Sequence, residues 1–411
     1  MFRTFVRAAI AAVMIAVPAR AALLVADTNS AAAPRVAPAS NEGELALKRF
    51  RIPKGLKAEL FAAEPLLANP VAFSIDERGR VYVVETFRLH AGVTDIRGHM
   101  SWLDDELASQ SVENRVAYMR RFEGKRIEDY AKETDQVRLI WDSNNDGKAD
   151  QSTVFATGFN NIEDGLASGV LAYQGNVYFA NIPKLWLLRD TDNDGVANVK
   201  RPLLDGFGVR VGFLGHDLHG LRMGPDGKLY FTIGDRGAHV VTKDGSNDRT
   251  VSNHEEGAVY RCNLDGTGLE IFARGLRNPQ ELAFDAYGNL WTGDNNSDGG
   301  DPARWVYVVE GGDSGWRIGY QFLNQPNPRG VWLSERMCYP QFPGQAAYIL
   351  PPLANIGNGP SGLAYYPGLG LPERYSNHFF LCDFRGSTGS GIHSFGVKPK
   401  GAGFEVTPDE T

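Results

Sequence analysis

The sequence predicts an all-β fold, a ring of small antiparallel sheets that carries one helical insertion. Three observations predict it: a hairpin-sized repeat, a composition rich in turn residues, and a single charged stretch with helical spacing.

The repeat is a small apolar strand, a turn, and a second β-rich strand. Val71, Ala72 and Phe73 lead to a turn at Gly79 and a strand from Arg80 to Val84. Gly169 to Tyr173 leads to Gly175 and a strand from Asn176 to Ala180. Gly220 to Met223 leads to Pro225, Asp226 and Gly227, then a strand from Lys228 to Ile233. Leu282, Ala283 and Phe284 lead to Gly288 and a strand from Asn289 to Thr292. Gly362 to Tyr365 leads, after a longer loop, to His378 to Cys382. The second strands are expected to alternate apolar and polar positions, as half-buried strands do. Where nothing is inserted, the turns recur at about 50 to 60 residues, the size of one blade of a β-propeller. One such sheet cannot bury both faces, but a ring of sheets can. The expected fold is therefore a six-bladed β-propeller type with five blades visible over residues 46–411. Either the N-terminal residues supply the last blade, or the chain is the N-terminal part of a longer protein. The second is preferred.

Composition agrees. The 47 Gly and 22 Pro suit many tight turns between short strands. The formal net charge of -7 leaves no basic excess to neutralise phosphates, which argues against a nucleic-acid partner.

The third observation lies between residues 88 and 135. Trp102 to Leu107 and Val112 to Tyr130 have helical spacing and many charges. Asp104, Asp105 and Glu106 stand at the start, where a helix dipole favours acids. This stretch is expected to be a helical insertion on a blade loop.

Residues 1–21 have the form of a signal peptide. Arg3 and Arg7 precede a short apolar run from Ala8 to Val17, followed by Ala19, Arg20 and Ala21. Such a run is too short for a transmembrane helix, which needs about 20 residues. The expected location is periplasmic or extracellular. Residues 22–45, rich in Ala, Pro, Ser and Asn, are expected to be a linker. Of the cysteines Cys262, Cys338 and Cys382, an oxidising compartment would permit one pair. None lies in a Cys-x-x-Cys pair, and no c-type haem motif occurs in the chain.

Three polar clusters sit at corresponding places in the repeat, where propellers gather ligands. The first runs from Gly215 to Gly220 and holds His216 and His219. His216 suits a general base, since imidazole titrates near neutral pH. The two histidines could instead bind a metal, or be structural. The second cluster holds Arg277 and Asn278, whose donors suit carboxylates and quinone oxygens; Arg277 could also simply bridge two blades. The third runs from Gly293 to Asp301 and offers the hard oxygen ligands of Asn296, Ser297 and Asp298, which calcium prefers. Ordinary turns have the same composition. Asp235 holds the equivalent place in the third unit, and Asp383 to Arg385 does so in the fifth.

Two more stretches have the start of a calcium loop: Asp142, Asn144 and Asp146, and Asp190, Asp192 and Asp194. Neither has the closing Glu of an EF-hand, since Thr153 and Arg201 stand there. The second, with three aspartates, is the better candidate for a structural ion away from the mouth.

In the stretch from His216 to Asp235 and in Gly275 to Gln280, the sequence resembles the soluble PQQ-dependent glucose/sorbosone dehydrogenases. Within them it looks most like the exported membrane-bound dehydrogenase-like proteins of planctomycetes and verrucomicrobia. The resemblance covers about residues 50 to 400. It implies a six-bladed propeller that oxidises a sugar, polyol or alcohol by hydride transfer to PQQ held by Ca²⁺. A cytochrome c would then be a possible electron acceptor. By position, His216 would be the base and Arg277 and Asn278 would contact the quinone. Carbonyls near Asn296 and Ser297 would meet the calcium. Arg385 falls where the family has a cofactor-contacting lysine, and Asp235 and His219 are placed in the cofactor shell. The chain departs from the family at Asn296-Ser297, at Arg385 and at His219. Two other functions compete. One is a calcium-dependent lactonase using Glu85, Glu163, Asn295 and Asp298. The other is a non-catalytic propeller that binds glycans or proteins.

Overall fold

The short turn between each pair of inner strands is where sequence dictates structure most directly. Gly79, Gly175, Gly227 and Gly288 hold φ of 77, 74, 77 and 82°, a left-handed conformation that glycine adopts without strain. The fifth unit uses Asn377, at φ 61°, after its longer loop. The computed structural model describes residues 33–298, 301–322, 335–336, 342 and 350–407. The expected signal peptide, the first part of the expected linker, Gly299, Gly300 and Cys338 lie outside these residues.

Five four-stranded antiparallel sheets result, each a meander from an inner to an outer strand. Blade one comprises Pro70–Ile75, Val81–Glu85, Asp135–Trp141 and Gln151–Phe159. Blade two comprises Ala167–Tyr173, Asn176–Asn181, Lys184–Arg189 and Val199–Asp205. Blade three comprises Leu218–Met223, Leu229–Ile233, Gly257–Cys262 and Glu270–Leu276, with an added hairpin of Ala238–Asp244 and Asn247–Asn253. Blade four comprises Pro279–Phe284, Leu290–Asp294, Arg304–Val308 and Ala354–Asn355. Blade five comprises Pro360–Tyr366, His378–Asp383, Gly391–Lys400 and Gly403–Val406. The inner strands of successive blades pack side by side in chain order. This is the propeller arrangement.

The core lies between the blades. Tyr82 and Val137 of blade one meet Val170 and Phe179 of blade two. Tyr178 and Leu185 meet Leu218, Phe231 and Tyr260. Tyr230 and Val259 meet Leu282 and Val306. Trp291 and Trp305, stacked 5.6 Å apart, meet Leu363, Phe379 and Phe395. The second strands of blades one to four are consequently buried on both faces, not on alternate residues. Only blade five keeps the expected alternation, with Phe379 and Leu381 buried and Phe380 and Cys382 half-buried. A strand sandwiched between two neighbouring sheets has no polar side to show.

No sixth four-stranded sheet occurs among the described residues. The described part of the N-terminal segment, from residue 33, does not supply one. Residues 54–67 form no strand, yet they touch both end blades. The Lys54 carbonyl accepts from Arg374 of blade five. Phe61, Ala62, Leu66 and Leu67 pack on Val83, Ile140 and Ala149 of blade one. The linker expectation is also trimmed, because a short helix spans Glu42–Leu47.

The helical insertion is present between the second and third strands of blade one. It holds the helices Leu103–Ala108 and Val112–Glu123, flanked by short 3₁₀ turns. The longer helix starts where Ser111 Oγ accepts from the Asn114 amide, and ends at Gly124, φ 56°. It buries Arg115, Tyr118 and Met119, one face at i, i+3 and i+4. Among the described residues no helix is long and apolar enough to cross a membrane.

Candidate active site

A meander sends its second-to-third connections, and its links to the next blade, to the same end of the ring. The insertion, the link 206–217, the turn after Ile233, the pair Arg277–Asn278 and the loop after Asp294 therefore share one mouth. The Asp190 loop joins a third strand to a fourth and lies at the opposite end.

At the mouth end of each second strand stands an acid or amide: Glu85, Asn181, Asp294 and Asp383 in four blades, and Asp235 two residues past Ile233 in blade three. In most blades this group ties down the start of the inner strand. Glu85 accepts from the Ala68 amide at 2.6 Å, and Asp294 from the amides of Arg277 and Asn278 at 3.0 and 2.8 Å. Asp383 accepts from Asn358 and Gly359 at 2.7 and 2.9 Å. Burial pushes the Asp383 carboxyl up, but these amides, with Arg385 and His393, outweigh it and bring it down to about 2. A carboxyl depressed in the fold contributes stability above its unfolded pKa, about 3.9, and loses it as pH falls toward the folded value. Asp383→Asn is expected to lower stability near pH 7 by about 1–3 kcal/mol. The gap to the parent protein should close between about pH 4 and 2 in urea unfolding followed across pH.

Blade three uses its acid differently. Asp235 Oδ1 lies 2.7 Å from His216 Nδ1, and Trp316 Nε1 donates to Oδ2 at 3.2 Å. Burial pushes the Asp235 carboxyl up, but His216, Arg277 and the Trp316 N–H hold it below its ordinary value. An anionic Asp235 accepts, so His216 carries its proton on Nδ1. That leaves the Nε2 lone pair as a base, and Nε2 has no protein partner among the described residues.

Arg277 is buried beside this pair. Its guanidinium lies 5.5 Å from the Phe213 ring and 5.7 Å from Trp316. It donates to the Asn296 carbonyl at 2.6 Å and to Asp298 Oδ2 at 2.9 Å. Asn278 donates to the Gly215 carbonyl and to Asn295, both at 3.1 Å, and its Oδ1 is buried with no acceptor role filled.

The structure thus brings together His216, Asp235, Arg277, Asn278, Asn296 and Asp298. It separates others. Asp235 is spent on His216 and Trp316, so it orients the imidazole and does not face a cofactor. His219 turns both ring nitrogens to carbonyls, Ser168 at 3.3 Å and Gly215 at 3.0 Å, so it forms no metal pair with His216. Burial lowers its pKa. Arg385 pairs with Asp383 at 2.6 Å, and no contact joins it to His216 among the described residues. Ser297 is tied to Asp301 through its amide and hydroxyl. Glu85 serves Ala68, Gln136 and Arg138, and Glu163 faces Lys184 at 3.8 Å, so the carboxylates of a lactonase centre do not converge. Asp190, Asp192 and Asp194 do converge, with carboxylate oxygens within 4.8 Å of one another. In both loops the first carboxylate accepts from the loop's own amides, Asp142 from Asn145 and Gly147 and Asp190 from Asn193 and Gly195. Cys262 and Cys382 are free thiols, and burial pushes Cys262 up to about 12.

Sequence reasoning missed Trp316 and Phe213. Trp316 lies on a loop past the third strand of blade four, and nothing local marks it.

The chain belongs to a family described as a domain of unknown function (DUF7133), whose profile matches residues 42–411. It is also similar to quinoprotein glucose dehydrogenase B of Acinetobacter calcoaceticus, with 32% identity over 125 residues. That match covers 25% of this chain and 26% of the enzyme, about a quarter of its length. Among solved structures, it is similar to the PQQ-bound aldose sugar dehydrogenase of Streptomyces coelicolor, with 14% identity over 87% of this chain and 85% of that one, TM-score 0.47. The apo-form soluble aldose sugar dehydrogenase of Escherichia coli gives 14% identity over 67% and 82%, TM-score 0.44. Both structural likenesses are weak.

Proposed function

We propose that the protein is an exported quinoprotein-type dehydrogenase that oxidises a hydroxyl of a sugar, polyol or alcohol. The observation that carries this reading is the His216–Asp235 pair set beside Arg277 and Asn278. His216 Nε2 takes the hydroxyl proton. Asp235 holds the imidazole in the right tautomer and stabilises the imidazolium that forms. Trp316 fixes the other oxygen of Asp235.

The residues fit a quinone through an exchange of partners. The Arg277 guanidinium, a planar fork of donors, serves the Asn296 carbonyl and Asp298 here and would share or trade these for quinone oxygens. Asn278 Oδ1, buried and without a donor among the described residues, would accept from an N–H of the cofactor. Arg277 and Asn278 would hold PQQ, which when bound supplies the hydride acceptor. The residues do not fit the calcium as the resemblance places it. The Asn296 carbonyl and Asp298 carboxylate already bind the Arg277 guanidinium, and the Ser297 hydroxyl is turned to Asp301. The Asp190, Asp192 and Asp194 loop is the better seat for a structural calcium. Export rests on the signal-like composition of residues 1–21. A cytochrome c is the electron acceptor that such a location suits.

A dye-linked screen of sugars, polyols and alcohols with added PQQ tests the reading. PQQ-dependent dye reduction with a hydroxyl substrate is the expected result. Quinone-independent lactone hydrolysis, with no dye reduction, would contradict it.

A further inference from the structure

The segment that delivers His216 is a loop without a ladder of its own. Residues 208–216 lie in no strand, and Gly212 and Gly215 take φ of 62 and 83°. Such a loop leaves backbone donors and acceptors to be satisfied elsewhere. Gly208 and Arg210 donate to the Gly237 and Arg236 carbonyls, while Val209, Val211, Gly212 and Leu214 find partners in the helical insertion.

Glu106 is the centre of this contact. It is fully buried, and its two carboxylate oxygens accept from consecutive amides, Val211 at 3.0 Å and Gly212 at 2.7 Å. Tyr118 of the longer helix donates to the same carboxylate. Around it, Asp95 Oδ2 accepts from the Leu214 amide at 3.0 Å, and the Ile96 amide donates to the Gly212 carbonyl at 3.0 Å. Ser109 Oγ donates to the Val209 carbonyl at 2.6 Å, and Arg210 Nε donates to the Glu106 carbonyl at 2.9 Å. Arg97 lies 4.3 Å over the Phe213 ring, the ring that Arg277 also flanks. The His216 amide then donates to the Phe213 carbonyl at 3.1 Å.

Burying a carboxylate costs several kcal/mol unless its oxygens are fully used. An exposed acid in the first turn would serve the helix dipole at no such cost, as Asp104 does. Glu106 is instead turned inward onto the loop that carries the base.

We infer that Glu106 is a positioning residue for His216: with Asp95, it makes the helical insertion a clamp that fixes the Val209–Leu214 loop and so the imaginary line of attack of the imidazole. The role in turnover rests on the dehydrogenase reading. The clamp itself does not. A displacement of about 1 Å at a reacting group can cost on the order of 100-fold in rate, so a loop held this way bears on kcat.

The test uses the full chain and its Glu106→Ala variant. Hydrogen exchange should accelerate at the Val211 and Gly212 amides while the strands of blades four and five keep their protection. The ring ¹⁵N shifts of His216 should move. With an active substrate, kcat should fall by about 10- to 100-fold with KM little changed, and Glu106→Gln should recover part of it. Asp95→Ala, on a half-buried residue, should loosen Leu214 and move the same His216 shifts, and it stands in if Glu106→Ala does not fold. Asp105→Ala, on the half-exposed partner of Arg121, should change none of these. A folded Glu106→Ala or Asp95→Ala variant with unchanged loop exchange and unchanged His216 shifts would overturn the inference. If no dehydrogenase activity is found, exchange and shifts still decide the clamp. If activity is found and His216 is undisturbed, the clamp alone fails.

Discussion

His216→Ala is expected to lower kcat on the best hydroxyl substrate by about 10²- to 10⁴-fold, the range that a positioned base contributes. The variant removes Nε2, which has no other candidate base within the buried pair. Asp235→Asn should fall in the same range for a different reason. An asparagine can donate to Nδ1, which would turn the proton onto Nε2 and leave no lone pair for the substrate. The two losses should not add. A His216→Ala, Asp235→Asn double variant should be no slower than the slower single, because the pair acts as one unit. His216→Ala also strips the buried Asp235 Oδ1 of its hydrogen-bond donor, so it should be less stable than the double variant, by about 1–3 kcal/mol in urea unfolding. Steady-state rates and unfolding midpoints on the three variants check both statements.

Arg88→Met is expected to destabilise the protein by about 3–5 kcal/mol, the cost of breaking a buried charged network. Arg88 is fully buried just after the second strand of blade one. It donates to the carbonyls of Asp164 at 2.8 Å, Gly165 at 3.1 Å, and Gly92, Tyr130 and Asn161 at 3.0 Å. Gly92 and Tyr130 belong to the insertion, whereas Asn161, Asp164 and Gly165 belong to the link into blade two. One guanidinium therefore pins the insertion to the ring. Methionine fills the stem's volume but leaves the carbonyls without donors. Lysine supplies fewer, non-planar donors and should cost less than methionine. The loss should be local first. Limited proteolysis is expected to cut within residues 86–134 of Arg88→Met before any blade is cleaved.

The ring was legible because its signal is local. A glycine turn between two short apolar strands repeats regardless of what the sheets pack against, so all five inner hairpins could be placed from sequence. The insertion was legible for the same reason, through the helical spacing of Trp102 to Leu107 and Val112 to Tyr130 and the acids Asp104, Asp105 and Glu106 at its start. What depends on the neighbouring blade was not. The two-sided burial of Leu229–Ile233 or Leu290–Asp294 comes from flanking sheets that no window of sequence contains. The strap of residues 54–67 has no periodicity at all. At the site, His216, Arg277 and Asn278 were found by residue type and by repeat register. The partnership of Asp235 with His216 was not, although its position carried a clue. An acid or amide stands near the mouth end of every second strand, and only in blade three does a histidine precede the inner strand close enough to claim it. Glu106 looked like an ordinary helix-start acid. Its burial is decided by a loop more than 100 residues away.

Calorimetric titration of PQQ into the full-length protein and its Arg277→Ala variant, each with Ca²⁺ and with a chelator, tests the central claim most directly. Saturable binding by the parent chain is expected, weakened about 10- to 100-fold by Arg277→Ala, as loss of a buried charge-assisted contact of about 1.5–3 kcal/mol implies. Binding that Arg277→Ala leaves unchanged, or no binding at high micromolar PQQ, would contradict it.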